Sequence, residues 1–265
     1  MIKDKKIQLM TYETVNFKKP LESDDYEQAS KYAINAIEEI IGNAIQNGEN
    51  KIIINTNLKL GLPMENINKI AGPFVEAWAQ ETFVKVRDDA NNEWNLINVE
   101  SLERLHRADV ILQFKRKIEI NPVVTAEVDV KATAEDFANS GKSPNITSFA
   151  RIRSAYVEEP DYLFVILSLK HKVYSTRNNQ TGLMDGIMEV VKYNAYDIKY
   201  LSDSDISYNP ALGTGQIQIR DIHYVTIEKR TAWEFISLLD KKYLASSKRD
   251  FNQWLLLANK YKWIK

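Results

Sequence analysis

The stretch AEVDVKA, residues 126–132, places charged and apolar side chains at alternate positions, and it determines how we interpret the rest of the chain. In an extended strand successive side chains point to opposite faces, so Glu127, Asp129 and Lys131 share one face. Val128 and Val130 lie on the other face, which can be buried in a core. The charged face must therefore meet water or hold a group that needs two acids and a lysine.

The segments around this stretch predict a mixed sheet between helices. Strand candidates, rich in valine, isoleucine and aromatic residues, are 51–54, 108–114, 118–120, 123–132, 162–169 and 216–220. Helix candidates, with apolar side chains at helical spacing, are 24–45, 64–86, 96–105, 146–157, 231–243 and 248–263. Gly72 and Pro73 are expected to split the second of these helices. The fold class that follows is α/β (α+β), with a mixed central sheet flanked by helices.

Length and composition favour a globular protein of one domain. The chain has 265 residues, of which 44% are hydrophobic and 27% charged, and no cysteine. No apolar run approaches the ~20 residues of a membrane helix, so no membrane association is expected. Without cysteine there are no disulfides and no thiol-bound metal, and we expect a cytoplasmic protein of a prokaryote. We predict one domain over residues 1–265, with residues 1–60 as a helical N-terminal extension.

The charge balance neither requires nor excludes a nucleic-acid partner. The formal net charge is −1, whereas nucleic-acid-binding domains usually carry a basic excess. Basic runs are most often solvated faces, but a cleft lined by a few of them can attract phosphate. The positive charge is clustered at 115–117, at Lys170 and Lys172, at Lys229 and Arg230, and between residues 241 and 249.

A second carboxylate stands upstream of the opening stretch. Asp109 lies at the start of the strand candidate 108–114, and a hairpin turn centred near residue 119 would set it opposite Asp129. Two carboxylates from adjacent strands would form a seat for Mg²⁺, with Lys131 beside it to position or activate a water. The alternative is an exposed ladder of ion pairs, which is the commoner meaning of an isolated D-x-K triplet.

This order of residues resembles a known family of nucleases. Asp109 followed by Asp129-Val130-Lys131 resembles the PD-(D/E)xK signature, and the narrower resemblance is to type II restriction endonucleases of the HincII, EcoRV and SwaI kind. ADVILQF (108–114) and EVDVKA (127–132) are similar to the two catalytic strands of those enzymes. GQIQIRDIHY (215–224) and RTAWEFISLLDKKYL (230–244) resemble their recognition segment and closing helix.

The resemblance implies an activity and an assembly. It implies a restriction endonuclease-like core that hydrolyses phosphodiester bonds of double-stranded DNA with Mg²⁺, producing 5′-phosphates, within a restriction–modification system. A homodimer supported by the N-terminal helices would cut a short palindromic site and leave blunt ends. Asp109 and Asp129 would hold the metal and Lys131 would assist the water. Glu76 is the candidate for the helix-borne acid of the family, and Glu81 is the alternative.

The resemblance also implies which residues contact DNA. The turn around Ser143-Pro144-Asn145 resembles a DNA-contacting turn, and the 209–218 segment would be a loop that reads the groove, where Asn or Gln can pair with adenine. The expected contacts are Lys142, Ser143, Asn145, Asn209, Thr214, Gln216 and Gln218.

Other interpretations of the same residues remain open. Gly213 and Gly215 flank a threonine, but the segment lacks the lysine and following helix of a P-loop, so nucleotide binding is not predicted. His106 has no second histidine at ligand spacing. Residue 132 is alanine, where this family often has a hydroxyl. The rival functions are a catalytically silent DNA-binding or interaction domain and a repair-type nuclease of the same core.

Overall fold

The computed structural model describes residues 11–101, 108–136 and 140–265. Within these ranges the chain forms a six-stranded mixed sheet, a separate three-stranded sheet and five α-helices. The large sheet is flanked by helices, which confirms the fold class expected from the sequence. No helix within the described ranges is long and apolar enough to span a bilayer.

The helices and strands alternate along the chain. The helices are α1 Tyr26–Gln46, α2 Met64–Asp88, α3 Phe149–Glu158, α4 Ala232–Leu244 and α5 Phe251–Lys260. The strands are β1 Lys51–Leu58, β2 Leu96–Ser101, β3 Val110–Lys115, β4 Val123–Ala134, β5 Asn145–Ser148, β6 Leu163–Arg177, β7 Met184–Asp197, β8 Ile206–Asn209 and β9 Gln216–Ile219.

The large sheet has the strand order β1-β7-β6-β4-β3-β2, and only β4 and β6 in this order run parallel. The connection between these two strands contains α3, as a parallel pair requires a crossover. In the β3–β4 hairpin Val110 lies opposite Val128 and Lys115 opposite Val123. The hairpin is therefore centred at residue 119, in the register predicted from the sequence.

Each face of the large sheet packs against its own set of helices. Helices α1 and α2 cover the face that carries Val128 and Val130, and these valines belong to one buried core. The opposite face carries Phe164 and Ile166, which pack with α3, α4 and α5 in a second core. The valines of the opening stretch thus point into the first core. Asp129 points to the second side, where Ile166 is its neighbour on β6.

The second core joins the two ends of the described chain around a buried ion pair. Arg153 and Asp240 are both fully buried, and Arg153 Nε lies 2.8 Å from Asp240 Oδ1. Trp254 Nε1 donates to the same carboxylate over 2.8 Å, and the hydroxyl of Tyr12 donates over 2.9 Å. Trp263 Nε1 donates to Ser154 Oγ over 2.8 Å. The beginning and the end of the described chain are therefore parts of one core.

The first 60 residues contribute both a helix and a strand. Helix α1 packs into the first core, and β1 is an edge strand of the large sheet, paired antiparallel with β7. Residues 1–10 lie outside the described residues. The segment expected as a helical extension is thus built into the sheet, through β1.

Two expected elements are wrong. Residues 96–101 are strand β2 instead of a helix, because Leu96 and Val99 turn inward while the strand pairs along β3; residues 102–107 lie outside the described residues. Residues 118–120 are not a strand but part of the turn between β3 and β4. Ile118 and Ile120 are exposed there, and Asn121 has a positive φ of 49°.

Two boundaries also differ from the expectation. Helix α2 continues through Pro73, since the carbonyl that loses its partner belongs to exposed Lys69, where water can satisfy it. Buried Ala71 and Val75 anchor the helix on both sides of the proline. The helix expected from residue 146 begins at Phe149, because the preceding four residues form β5.

Candidate active site and nucleic-acid interface

Asp109 and Asp129 meet at one end of the β3–β4 hairpin. The Asp109 amide donates to Val128 O over 3.0 Å, and one oxygen of its carboxylate accepts the Val130 amide over 2.7 Å. Asp129 lies between those two valines on β4 and is only 4% exposed. The backbone hydrogen bonds of the hairpin therefore hold both carboxylates side by side.

Lys131 completes this cluster from the same face of β4. Its Nζ lies 2.7 Å from Asp129 Oδ2, and its side chain is 24% exposed. Apart from this ion pair, Asp129 Oδ2 is buried without a hydrogen-bond partner. Among the described residues the ammonium of Lys131 is therefore the one partner of this oxygen.

Glu76 reaches the cluster from α2. Burial raises the pKa of Glu76, the charge of Asp109 raises it further, and the ammonium of Lys131 opposes both. Glu81 is exposed on the same helix. Of the two helix acids that the sequence left open, Glu76 is the one that senses the charges of Asp109 and Lys131.

The cluster has unusual protonation because like charges are buried together. Burial raises the pKa of Asp129 to about 7; Lys131 opposes this shift, and the charges of Asp109 and Glu76 add to it. Burial lowers the pKa of Lys131, but the three carboxylates around it outweigh burial, so its pKa is raised overall. A carboxyl group with a pKa of about 7 beside a lysine that stays protonated is typical of a functional site.

The donor set fits a hard divalent cation. Carboxylate oxygens are the ligands that Mg²⁺ prefers, and Mg²⁺ commonly takes one or two of them while keeping several waters. Within the described residues no three His, Cys, Asp or Glu side chains converge as a complete metal cage. Asp109 and Asp129 therefore suit a cation that keeps part of its water shell.

Glu127, the other acid of the opening stretch, has a different environment. Its Oε2 accepts a hydrogen bond from the Tyr162 hydroxyl over 2.6 Å. Tyr162 is buried in the second core. Glu127 thus lies on the same face of β4 as Asp129, but its carboxylate is hydrogen-bonded to Tyr162.

Four of the residues expected to contact DNA lie together on the small sheet. The strand order is β5-β9-β8, and Asn145 lies opposite Gln218 while Asn209 lies opposite Gln216. Ile217 and Ile219, which alternate with the glutamines, are buried. One face of this sheet therefore packs inward and the other presents a row of amides.

The turn before β5 holds Lys142 and Ser143. Lys142 forms an ion pair with Asp221 while half of its side chain remains exposed. Ser143 has a positive φ of 48°, and its carbonyl accepts Gln218 Nε2 over 2.9 Å. The turn is thereby tied to Gln218, the last residue of the candidate reading loop, and to Asp221 just beyond it; residues 137–139 lie outside the described residues.

Thr214 is expected to contact DNA but also makes a contact within the protein. Its Oγ1 accepts the Ala150 amide over 3.4 Å near the start of α3, and its carbonyl accepts the Tyr208 hydroxyl over 2.8 Å. His106 lies outside the described residues.

Sequence reasoning missed Arg249, which fixes the 209–218 loop. Its guanidinium donates to the Tyr208 hydroxyl over 2.8 Å and to the carbonyls of Pro210 and Gly213 over 2.9 and 2.8 Å. At Gly215, with φ of +87°, an added Cβ would lie 2.1 Å from the Tyr208 hydroxyl. Only the glycine was visible as a signal in the sequence, because the arginine is 34 residues further along the chain.

The chain is similar to known restriction endonucleases. Residues 13–262 match the family model described as type II restriction endonuclease HpaI. The chain is 59% identical to the type II restriction enzyme HpaI of Haemophilus parainfluenzae over 256 residues, which cover 97% of this chain and all of that protein. Among solved structures, the NlaIV restriction endonuclease aligns over 73% of each chain with 14% identity and a TM-score of 0.41.

Proposed function

The chain belongs to the HpaI family of type II restriction endonucleases, and from this premise we propose that it hydrolyses double-stranded DNA with Mg²⁺ at a short palindromic site. Site-specific cleavage of DNA is the activity of the family. The observation that carries the proposed mechanism is the convergence of Asp109, Asp129, Lys131 and Glu76 at the end of one hairpin.

Asp109 and Asp129 would hold the magnesium ion. When bound, Mg²⁺ supplies positive charge that stabilises the developing negative charge on the scissile phosphate and lowers the pKa of the attacking water. Asp129 must release its proton to act as a ligand, since only the carboxylate binds a cation well. Its pKa of about 7 in the metal-free protein makes that release easy at mildly alkaline pH.

Lys131 would position the attacking water through its ammonium group. The raised pKa of Lys131 keeps the proton on Nζ at neutral pH, so this group donates hydrogen bonds and does not accept the proton of the water. Its three N–H bonds can reach Asp129 and still leave donors for a water or a phosphate oxygen. Glu76, half buried beside Asp109 and Lys131, would orient the same water as an acceptor.

The amide face of the small sheet would contact the bases. Asn145, Asn209, Gln216 and Gln218 present amides, which can pair bidentately with adenine in the major groove. Lys142 and Ser143 on the adjoining turn would contact the phosphates that set the register of the protein on DNA.

We further propose a homodimer that leaves blunt ends. A two-fold dimer presents the same surface twice, so its target carries matching half-sites. Light scattering is expected to give about twice the 30.6 kDa of one chain. Run-off sequencing of both strands is expected to place the two nicks opposite each other; cuts outside an asymmetric site would contradict the dimer.

Incubation of the pure protein with plasmid in Mg²⁺, and again with EDTA, tests the central proposal. Discrete bands in Mg²⁺ and none in EDTA are expected. A smear would favour a repair-type nuclease, and uncut plasmid in every divalent metal would favour the catalytically silent alternative. Sequencing the ends of the products then identifies the target site.

A further inference from the structure

His223 lies where the catalytic strands and the DNA-contacting turn meet. Its Nε2 is 2.5 Å from Thr133 Oγ1 and its Nδ1 is 2.8 Å from Ser168 Oγ. Thr133 and Ser168 are both buried. One imidazole thus bridges strand β4 to strand β6 through two hydroxyl groups.

Both hydroxyls belong to the row of side chains that contains the catalytic lysine. Ser168 is the partner of Lys131 in the parallel register of β4 and β6. Thr133 follows Lys131 by two positions, so it shares the same face of β4. The imidazole therefore contacts the neighbour of Lys131 along β4, which is Thr133, and its neighbour across on β6, which is Ser168.

The backbone of the same segment is bonded to the turn that carries Lys142. The His223 amide donates to Asp221 Oδ1 over 3.0 Å, and the other oxygen of Asp221 pairs with Lys142. The Ile222 amide donates to Gly141 O over 3.1 Å. Segment 220–223 and turn 141–143 therefore form one unit.

The ring also packs against the turn itself. Gly141 has a φ of +89°, and a Cβ added there would lie 3.0 Å from His223 Cδ2. A glycine at this position lets the turn approach the imidazole face. A shift of the turn must consequently displace the ring, and a shift of the ring must displace Thr133 and Ser168.

We propose that His223 is a positioning residue that couples the seating of the 141–145 turn on DNA to the alignment of Lys131. This proposal rests on the proposed function. A correct site seats the turn, and the imidazole transmits that position to β4 and β6. An incorrect site leaves the turn displaced and the lysine misaligned. Specificity is thereby exerted on the rate of cleavage as well as on binding.

Histidine suits this role because its two nitrogens point in divergent directions. A hydroxyl can donate or accept, so both bonds persist in either tautomer of the neutral ring. Burial lowers the pKa of His223, and the charges of Lys170 and Lys142 lower it further while Asp221 opposes them. The ring is therefore neutral at pH 7.

The test compares His223→Ala with wild type on matched DNA duplexes. One duplex carries the site found by end sequencing, and others have one base pair of that site changed. Single-turnover cleavage at increasing enzyme concentration separates the maximal rate from the half-saturating concentration. Thr226→Ala, three residues beyond His223 and exposed, is the control and should match wild type.

We expect the maximal rate on the correct site to fall roughly 10- to 100-fold in His223→Ala, the cost of a misplacement of about 1 Å. The half-saturating concentration should change little. Rates on changed sites should fall less, so the ratio of correct to changed-site rates decreases. Equal loss on both kinds of site would indicate a structural role only and would overturn the coupling.

Further variants test the proposal even if His223→Ala does not fold. Ser168→Ala and Thr133→Val delete the two hydroxyls singly, and each should lower the same ratio; an unchanged ratio in both would overturn the proposal even if His223→Ala does not fold. His223→Gln, whose amide reaches the position of Nε2, should recover part of the ratio. Absence of specific cleavage by wild type would overturn the proposed function as well.

Discussion

The acid cluster of the β3–β4 hairpin and the amide row of the small sheet are built in opposite ways. In the hairpin, Asp129 is buried among like charges, pairs with Lys131 through one oxygen and has a pKa of about 7. In the small sheet, Gln218 is partly exposed and already donates to the Ser143 carbonyl. The first region holds like charges in a buried place, whereas the second presents amides to solvent, and Gln218 among them has a hydrogen-bond partner.

From this difference we expect the two regions to have different parts in the proposed reaction. A site that must hold a cation gains from carboxylates that are destabilised without it, because binding relieves their repulsion. A surface that must exchange water for base edges gains from groups that are stable in either state. Substitutions in the hairpin should therefore act on the rate of cleavage, and substitutions in the small sheet should act on the choice of DNA.

The largest effect is expected from Asp129→Ala. Loss of a ligand removes several kcal/mol of transition-state stabilisation, which is roughly 10³-fold in rate or more. Binding of DNA should persist, because the contacts of the small sheet remain. Plasmid cleavage and gel-shift titration measure the two separately, with Asp129→Asn as the variant of matched shape. Near-normal cleavage in Mg²⁺ would remove Asp129 from the site.

A smaller loss of rate is expected from Lys131→Met, which keeps the aliphatic stem and deletes the ammonium. The cleavage rate should fall by at least about 10²-fold, the usual effect of losing a group that handles the water. Thermal stability should change little. The exposed lysine at 241 on α4 provides the matched control Lys241→Met. A large loss of stability with a modest loss of rate would instead indicate a structural ion pair.

Gln216→Ala, in the same row of amides opposite Asn209, should act on selectivity. A lost bidentate pair with a base costs about 1–3 kcal/mol of discrimination, or roughly 10- to 100-fold between the target and a site with one changed base pair. The rate at saturating enzyme should stay close to that of wild type, in contrast to both hairpin variants. Competition binding on the two duplexes measures the discrimination. A slower saturated rate with selectivity intact would break the division between the regions.

The smallest expected effect is on the pH dependence of stability without metal. Folded Asp129 keeps a proton up to about pH 7, whereas an unfolded aspartate loses it near its ordinary value of about 4. The folded state thus binds more protons between these values, so stability falls as pH rises through this window. Asp129→Asn removes this loss.

Thermal melting in EDTA at pH 5 and pH 8 tests whether stability falls as the pH rises. The melting temperature of Asp129→Asn, relative to wild type, should be higher at pH 8 than at pH 5 by a few degrees, since 1 kcal/mol moves it by about 2–4 °C in a chain of this size. The same difference at both pH values would contradict the raised pKa.

The sequence predicted the hairpin region in detail because its register follows from simple alternation. The pattern of AEVDVKA separated Asp129 and Lys131 from the buried valines, and a turn centred at residue 119 set Asp109 opposite Asp129. Both features depend only on neighbours within one hairpin. The same logic located α1, α4 and α5, whose apolar positions recur at helical spacing.

The features that the sequence did not reveal depend on distant residues. Strand β7 was not predicted from the sequence. It lies between β1 and β6, so its burial depends on both neighbouring strands, and buried and exposed residues do not alternate along it. Strand β2 was predicted as a helix since its identity comes from pairing with β3. Arg249 and His223 contact residues more than 30 positions away, and no local pattern encodes such contacts.

The ion pair of Arg153 and Asp240 has a consequence for the order of events during protein synthesis. Its enclosure needs Trp254 and Trp263, which a ribosome adds long after the β3–β4 hairpin. Domains fold as units as the chain emerges, so the second core cannot close on a nascent chain that still lacks these tryptophans. The strand face that carries Asp129 therefore gains this support only after Trp263 has been synthesised, 134 residues after Asp129 itself, and a nascent chain that stops before Trp263 carries the acids of the hairpin without the core that supports their strand.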